Sequence, residues 1–344
     1  MAIYDIDGNK VLSSADSLRI TAHRGCYATT FQNTIESIQE AYDDGFRYCE
    51  IDLHKCTDGV YILGHNSSVT LYNNGASTSV TFTSVAYSTI KDYTWDSTGH
   101  YRISTLQASL GLMKKLGMKM ICDRKSGTNA DIISIASHIG ALDCIILSYT
   151  SPANALSDIS LLNKYPYIPL RIWPSNYGDL ETLKTSVTNP IISDMTPADS
   201  DATALGYALA SGIPLLFADC TVANANRWAP IANGCMAQGS NNISYDTFKS
   251  LLDIDFNKSI SLSSETTSVS VAVDGTSDVS ASSNLNDYAG YVFGYSINPN
   301  IAKTKQTAWG QTATITVTGV TSGSTTLRFF TGSGSILDIP ITVS

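Results

Sequence analysis

The sequence predicts a closed (β/α)8 barrel followed by a small all-β sandwich. From residue 18 to about residue 256, short apolar segments alternate with amphipathic segments of helical period. About eight such units close into a parallel barrel more readily than they form an open sheet. From about residue 257 to residue 344, Ser, Thr and Val alternate with period two and turn signals recur, which is typical of a β-sandwich.

The barrel elements follow in order from a short polar arm over residues 1–17. A first strand over 18–22 ends at His23, and Asn33-Thr34 opens a helix that Gly45 closes. Strands at 48–53 and 60–63 come next. The later strands are predicted at 118–123, 144–149, 168–173, 191–195, 214–218 and 235–238. The later helices are predicted at 105–116, 131–139, 152–164, 179–186, 199–210, 223–232 and 245–252.

The predicted domains are therefore a barrel over 18–256 and a sandwich over 257–344. Within the barrel, residues from about 66 to 100 are rich in Ser, Thr, Asn and Tyr and break the alternation. We expect a long surface insertion there, a kind of segment that usually has a function or is disordered. The predicted sandwich contains no His and no Cys, so the chemistry is expected in the barrel.

Composition excludes several classes of protein. The net charge of −9 and the pI near 4.9 argue against a nucleic-acid binder, because phosphate backbones are met by basic surfaces. The start of the chain has no secretory pattern and no stretch is apolar enough to span a bilayer, so we expect a soluble protein without a transmembrane segment. The seven cysteines form no Cys-x-x-Cys pair, which argues for buried thiols rather than structural zinc.

Two carboxylates stand out on the second strand. Side chains at Glu50 and Asp52 are two residues apart and project from the same face of a strand. Such close like charges need a cation between them, and oxygen ligands suit Mg²⁺ or Ca²⁺ better than zinc. A Glu-x-Asp pair considered alone is more often a surface strand paired with lysines.

Two histidines, His23 and His65, flank this pair at strand ends. Histidine is the usual proton shuttle near neutral pH. Arg24 and Lys125 could hold an anion, although either could equally be a solvated charge. We interpret His54, His100 and His138 as packed or solvated side chains; His54 lies one strand step beyond Asp52 and could face the same way.

Together, these residues form an ordered set that resembles the glycerophosphodiester phosphodiesterase family, whose members are TIM barrels. The set is His23-Arg24-Gly25, Asn33-Thr34, Ala41, Gly45, Glu50-x-Asp52, Thr57-Asp58-Gly59 and His65. The resemblance continues more weakly through Thr105-Leu106, Asp123-Arg124-Lys125 and Ser148-Tyr149, over about residues 18–255. The last domain is similar to bacterial immunoglobulin-like modules.

The resemblance implies a role for each residue. Glu50, Asp52 and Asp123 would bind one Mg²⁺ or Ca²⁺, with Asp123 where the family usually has glutamate. His23 and His65 would be the general acid and base, Arg24 would hold the phosphate and Lys125 would assist. The family cleaves a deacylated phospholipid to glycerol 3-phosphate and an alcohol, so the expected partner is a glycerophosphodiester.

The sequence also departs from the family pattern. Phe31-Gln32 replaces Pro-Glu, Asn66 replaces the Asp after the second histidine, and Cys220-Thr221-Val222 replaces Trp-Thr-Val. An aromatic wall at the substrate would then be missing, or would come from Trp173, Tyr149 or a tyrosine of the insertion. These changes suggest a substrate other than the small common diesters.

Three alternatives stay open. The substrate could be a glycerol-phosphate polymer such as a teichoic acid, cleaved by a cell-surface or phage-tail protein that contacts the cell wall or a glycan through its last domain. The barrel could also bind such a polymer without cleaving it. A glycosidase using Glu50 and Asp123 is a weaker alternative, because it leaves His23 and His65 without a role.

Overall fold

A computed structural model of the chain describes residues 19–195, 202–220, 228, 230–232, 234–238, 245, 246, 250 and 258–344. The strands of its first part are β1 (Arg19–His23), β2 (Tyr48–Lys55), β3 (Tyr61–Leu63), β4 (Ser68–Asn73), β5 (Ala76–Thr81), β6 (Lys119–Arg124), β7 (Ile145–Tyr149), β8 (Leu170–Ile172), β9 (Ile191–Met195), β10 (Leu215–Cys220) and β11 (Gly234–Gln238). The helices are α1 (Ile35–Asp43), α2 (Tyr87–Ile90), α3 (Leu106–Leu116), α4 (Asn129–His138), α5 (Pro152–Ser157), α6 (Ile159–Lys164), α7 (Tyr177–Ser186) and α8 (Ala202–Ser211).

Eight parallel strands form one closed sheet. Their order is β1-β11-β10-β9-β8-β7-β6-β2, and β1 pairs in turn with β2. The short strand β3 runs antiparallel along the end of β2. The predicted (β/α)8 barrel is confirmed.

Local sequence signals explain where the helices begin and end. Thr34 accepts a hydrogen bond from the backbone N–H of Ser37, whose hydroxyl accepts one from the Thr34 N–H, so a capping box starts α1. Gly117 ends α3 in the left-handed conformation (φ 67°). The helix predicted over 152–164 is two helices, α5 and α6, because Asp158 leaves helical geometry between them. Several predicted segments lie outside the described residues: the arm, most of the helices predicted over 223–232 and 245–252, and the start of the helix predicted over 199–210.

The segment predicted as a surface insertion is an ordered unit. Strands β4 and β5 form a hairpin whose turn residues Asn74 and Gly75 both have positive φ (50° and 81°), as a tight hairpin turn requires. Behind the hairpin lies a separate apolar cluster, made of Cys56, Ile62, Leu71, Val80, Phe82, Ile90, Trp95 and Ile103. The hairpin escaped prediction because β5 is mostly Ser, Thr and Ala with one buried apolar residue, Val80, and gave no partner for the short alternation of Val69 and Leu71 in β4.

The last part of the chain is all β, as predicted. Its strands are β12 (Leu262–Ser263), β13 (Val269–Val271), β14 (Thr276–Ser283), β15 (Val292–Ser296), β16 (Ala302–Ala308), β17 (Thr312–Gly319), β18 (Gly323–Thr331) and β19 (Ile336–Val343). They form two four-stranded sheets of order β12-β14-β17-β16 and β13-β19-β18-β15. The immunoglobulin-like character of this part stays a prediction.

The all-β part packs directly against the barrel. Phe293 and Tyr295 of β15 are buried in the same apolar cluster as the barrel core. At Gly206 of α8, a Cβ atom would lie 2.8 Å from the Thr304 hydroxyl of β16, so glycine permits the close approach of helix and strand. In the described part of the chain, no helix is long and apolar enough to cross a membrane.

Candidate active site

The carboxyl ends of the first three parallel strands bring four predicted site residues together. His23 ends β1 and pairs in register with Glu50 of β2. Asp52 of β2 pairs in register with Asp123 of β6. Parallel strands present their carboxyl ends at one edge, so the four side chains meet at the mouth of the barrel.

Glu50, Asp52 and Asp123 form a compact acidic cluster. One oxygen of each carboxylate lies within 4.8 Å of the others, and Glu50 and Asp52 are each only 1% exposed. Glu50 Oε2 is buried without a hydrogen bond, and His23 Nε2 lies 3.7 Å away. Burial, and then the charges of Asp52 and Asp123, raise the pKa of Glu50 well above its usual value. A divalent cation would compensate the charges of these three closely spaced carboxylates, so the three residues fit a Mg²⁺ or Ca²⁺ ion.

Asn33 fixes the orientation of Asp52. Its amide group donates to Asp52 Oδ2 (2.9 Å), and its amide oxygen accepts from the Asp52 backbone N–H (3.0 Å). Asn33 has φ 57°, a left-handed conformation that asparagine tolerates better than most residues. The loop after β1 therefore binds one carboxylate oxygen of Asp52, and the other oxygen faces the acidic cluster.

Arg24 and Lys125 place positive charge beside the same carboxylates. Arg24 Nε lies 3.3 Å from Asp52 Oδ2, and Arg24 Nη1 donates to Gln32 Oε1 (3.0 Å). Lys125 Nζ lies 3.0 Å from both Asp52 Oδ1 and Asp123 Oδ2. Burial acts to lower the pKa of Lys125, but the two carboxylates outweigh it and raise that pKa. Both cations are partly exposed, so each can also reach an anion at the barrel mouth.

Arg171 and Asp194 complete this network, and our sequence reasoning assigned neither residue to the site. The Arg171 side chain on β8 is 8% exposed; its Nη2 lies 2.6 Å from Asp194 Oδ2 of β9, and its Nη1 lies 3.8 Å from Asp123 Oδ2. Burial raises the pKa of Asp123, but Arg171 and then Lys125 outweigh it and hold that pKa below its usual value. A charged residue within the apolar strand Leu170–Ile172 was the available signal.

The charges of this network nearly balance. Its ionisable groups, apart from the histidines, are the carboxylates of Glu50, Asp52, Asp123 and Asp194 and the cations of Arg24, Lys125 and Arg171. With all of them ionised, one excess negative charge remains. A divalent cation together with a singly charged phosphodiester would bring the total to zero, which lowers the cost of burying them together.

His65 lies at the rim of the same mouth. It follows Gly64, whose N–H donates to the Asp52 carbonyl (3.0 Å), and its Nδ1 lies 3.0 Å from Asn66 Oδ1. Beneath it, His54 Nε2 donates to the His65 carbonyl oxygen (3.2 Å), and burial lowers the pKa of His54. His54 is thus a packed histidine that supports the backbone of His65.

Residues 23–141 match the model of the glycerophosphoryl diester phosphodiesterase family. This stretch belongs to that family. No curated protein matches the chain significantly.

Solved structures of phosphodiesterases share the fold of this family region and the rest of the barrel. The glycerophosphodiester phosphodiesterase from Agrobacterium tumefaciens is 15% identical, with a TM-score of 0.52 over 68% of this chain and 98% of that one. The one from Parabacteroides distasonis is 16% identical, with a TM-score of 0.54 over 68% of this chain and 97% of that one. A phosphodiesterase from Oleispira antarctica, solved with the product sn-glycerol-3-phosphate, is 16% identical, with a TM-score of 0.53 over 70% of this chain and 100% of that one.

Two cavities open near the carboxyl ends of the barrel strands. One, of about 290 Å³, is lined by Asp123 and Arg171 together with Tyr149 and Trp173, two of the aromatic residues expected at the substrate. The other, of about 320 Å³, lies between the loop after β1 and the insertion. The insertion supplies Trp95 to it, where the sequence had suggested a tyrosine.

Proposed function

We propose that the chain hydrolyses a glycerophosphodiester to glycerol 3-phosphate and an alcohol, and that it requires a divalent cation. The observation that carries this proposal is the buried cluster of Glu50, Asp52 and Asp123, which lies within the family-matched region. The family resemblance supplies the reaction class, and the cluster supplies a place where its metal would fit.

The reaction adds water across a phosphodiester. A hydroxyl nucleophile attacks phosphorus, the bond from phosphorus to the alcohol oxygen breaks, and the alcohol leaves with a proton. A bound Mg²⁺ or Ca²⁺ would stabilise the charge that develops on the phosphoryl oxygens. One histidine of the pair His23 and His65 accepts the proton of the nucleophile, and the other donates a proton to the leaving oxygen.

Arg24 and Lys125 are proposed to hold the phosphate. Both are partly exposed at the mouth, and both already contact Asp52. Arg24 contacts Asp52 through Nε, while its Nη1 donates to the neutral side chain of Gln32, an interaction that a phosphate oxygen could replace without separating two charges. Arginine suits this role because its planar fork matches two phosphate oxygens, while lysine acts as a point charge.

An assay that couples release of glycerol 3-phosphate to a dehydrogenase tests the proposal. Glycerophosphocholine and purified teichoic acid are offered separately, with Mg²⁺, with Ca²⁺ and with a chelator. We expect release with a cation and none with the chelator. Release from teichoic acid would identify the polymer as a substrate, whereas no release from either substrate with either cation would overturn the proposal.

Variants test the histidine roles. His23→Ala and His65→Ala should each lower kcat by about 10²–10⁴-fold, the usual contribution of a general acid or base. His138→Ala, at an exposed position of α4, is the matched control and should keep normal activity. Circular dichroism spectra confirm that each variant is folded. A histidine whose loss leaves kcat near normal has no catalytic role.

A further inference from the structure

The cavity between the insertion and the loop after β1 has an unusual chemical character. Among the described residues that line it, none has a carboxylate and none is a lysine or an arginine. Apart from His65, its polar side chains are mainly amides and hydroxyls, including Gln32, Asn66, Ser68 and Thr70. Such groups both donate and accept hydrogen bonds without net charge. The lining thus fits hydroxyl groups better than an ammonium or a second phosphate.

One wall of the cavity is aromatic. Phe31 and Trp95 lie stacked, with ring centroids 5.2 Å apart and an interplanar angle of 14°. Trp95 is only 8% exposed, whereas Phe31 is half-buried, so the accessible part of this wall is mainly the Phe31 side chain, backed by Trp95. A quaternary ammonium is usually bound by several rings that surround it. A single accessible aromatic side chain instead suits a ring or chain of C–H groups, whose slight positive charge is attracted to the π-electrons.

The cavity also adjoins the reaction centre. Asn33, which holds Asp52, and His65 both line it, whereas His23 lies beside Glu50 and is not among the lining residues. A group bound there has its reacting oxygen beside His65. His65 is therefore positioned to protonate that oxygen as it leaves phosphorus.

We propose that this cavity binds the leaving alcohol, and that this alcohol is a neutral polyhydroxylated group such as a polyol or a sugar. The inference rests on the proposed function and names the substrate class within it. The volume of about 320 Å³ lies at the lower end of the range for small-molecule sites, roughly 300–1,000 Å³. It therefore holds one such unit.

The main test compares kcat/KM for substrates that differ only in the leaving alcohol. We would measure kcat/KM for glycerophosphoinositol, glycerophosphoglycerol, glycerophosphocholine and glycerophosphoethanolamine under identical cation conditions. The two polyol diesters should exceed the two amine diesters by about tenfold or more, because the polar groups of the site match their hydroxyls. A preference for glycerophosphoinositol would indicate a cyclic polyol, and one for glycerophosphoglycerol a linear polyol. Equal values, or a preference for the amines, would overturn the inference while leaving the proposed function intact.

Variants of the wall connect the preference to this cavity. Phe31→Ala should lower kcat/KM for the polyol diesters by about three- to tenfold, the range expected for one aromatic contact, and should lower it by a smaller factor for the amine diesters. Thr70→Val, an exposed position of β4, should act in the same direction with no loss of packing. Tyr167→Ala is the matched control, because Tyr167 is 57% exposed and precedes β8 at the opposite end of the barrel. A uniform effect of Phe31→Ala on all four diesters would contradict the assignment.

A binding measurement tests the preference of the cavity for a polyol without requiring turnover. Calorimetry with the His23→Ala protein, which still has His65 and the cavity, would compare glycerophosphoinositol with glycerophosphocholine. Tighter binding of the inositol diester, weakened by Phe31→Ala, is the expected result. If the wild type cleaves no diester, the proposed function fails, and this comparison still shows whether the cavity prefers a polyol. Equal binding of the two diesters would reject that preference.

Discussion

Replacing Arg171 with methionine should lower the free energy of unfolding by about 3 kcal/mol. Breaking a buried ion pair by removing one partner costs roughly 3–5 kcal/mol. We expect the lower end, because Arg171 is 8% exposed but its partner Asp194 is 20% exposed. The variant leaves the Asp194 carboxylate without the guanidinium 2.6 Å away and removes a positive charge near Asp123. Methionine matches the length of the aliphatic stem, so loss of packing contributes little.

Urea denaturation followed by circular dichroism measures this effect. The control is Arg328→Met in the all-β part, where the partner Asp338 is exposed and the same substitution should cost less than about 1 kcal/mol. The double variant Arg171→Met with Asp194→Leu should recover most of the loss, since both charges leave together. If Arg171→Met cost no more than Arg328→Met, the claim that this pair is buried and coupled would be refuted.

Three further predictions concern individual residues. Asn33→Ala should lower the free energy of unfolding by about 2 kcal/mol, because it removes two hydrogen bonds to Asp52 and places alanine at a positive φ. Asn33→Gly removes the same hydrogen bonds without the backbone strain, so in the same measurement it should be less destabilising than Asn33→Ala. Glu50→Gln should weaken binding of Ca²⁺ or Mg²⁺ by about tenfold or more in calorimetry of the folded protein, and unchanged affinity would remove Glu50 from the ligands. Hydrogen bonds from Arg328 hold the pKa of Asp338 below its usual value, so their stabilisation is present above the unfolded pKa of about 3.9 and is lost as the pH falls through the folded pKa. Asp338→Asn should therefore lower stability by less than about 1 kcal/mol at pH 7, and the difference from wild type should shrink in urea titrations towards pH 3.

Sequence reasoning succeeded where strand geometry fixes the result. Glu50 and Asp52 had to share a face because strand side chains alternate with period two. His23 and Asp123 lie at the carboxyl ends of β1 and β6, the two parallel strands that flank β2, so barrel closure brings them to the same edge as that pair. For these residues, the order of the elements alone determines which side chains meet.

The sequence did not reveal contacts that depend on distant residues. Arg171 and Asp194 lie 23 residues apart on adjacent strands, where Arg171 is in register with Ile192 and its long side chain reaches Asp194, two residues further along. Phe31 and Trp95 are separated by 64 residues, and their stacking depends on how the insertion folds back over the loop after β1. Neither pair has a local motif, because each arises from tertiary packing.

The shared core between barrel and all-β part has a consequence for protein engineering. Phe293 and Tyr295 complete the apolar interior beside α8, and Trp309 packs edge-to-face against Trp228 with ring centroids 4.5 Å apart. A chain cut before residue 258 would expose this aromatic surface to water and invite aggregation. The barrel is thus unsuited to expression as a separate fragment. Chimeras that exchange the last domain must preserve these aromatic residues, or the barrel loses part of its own interior.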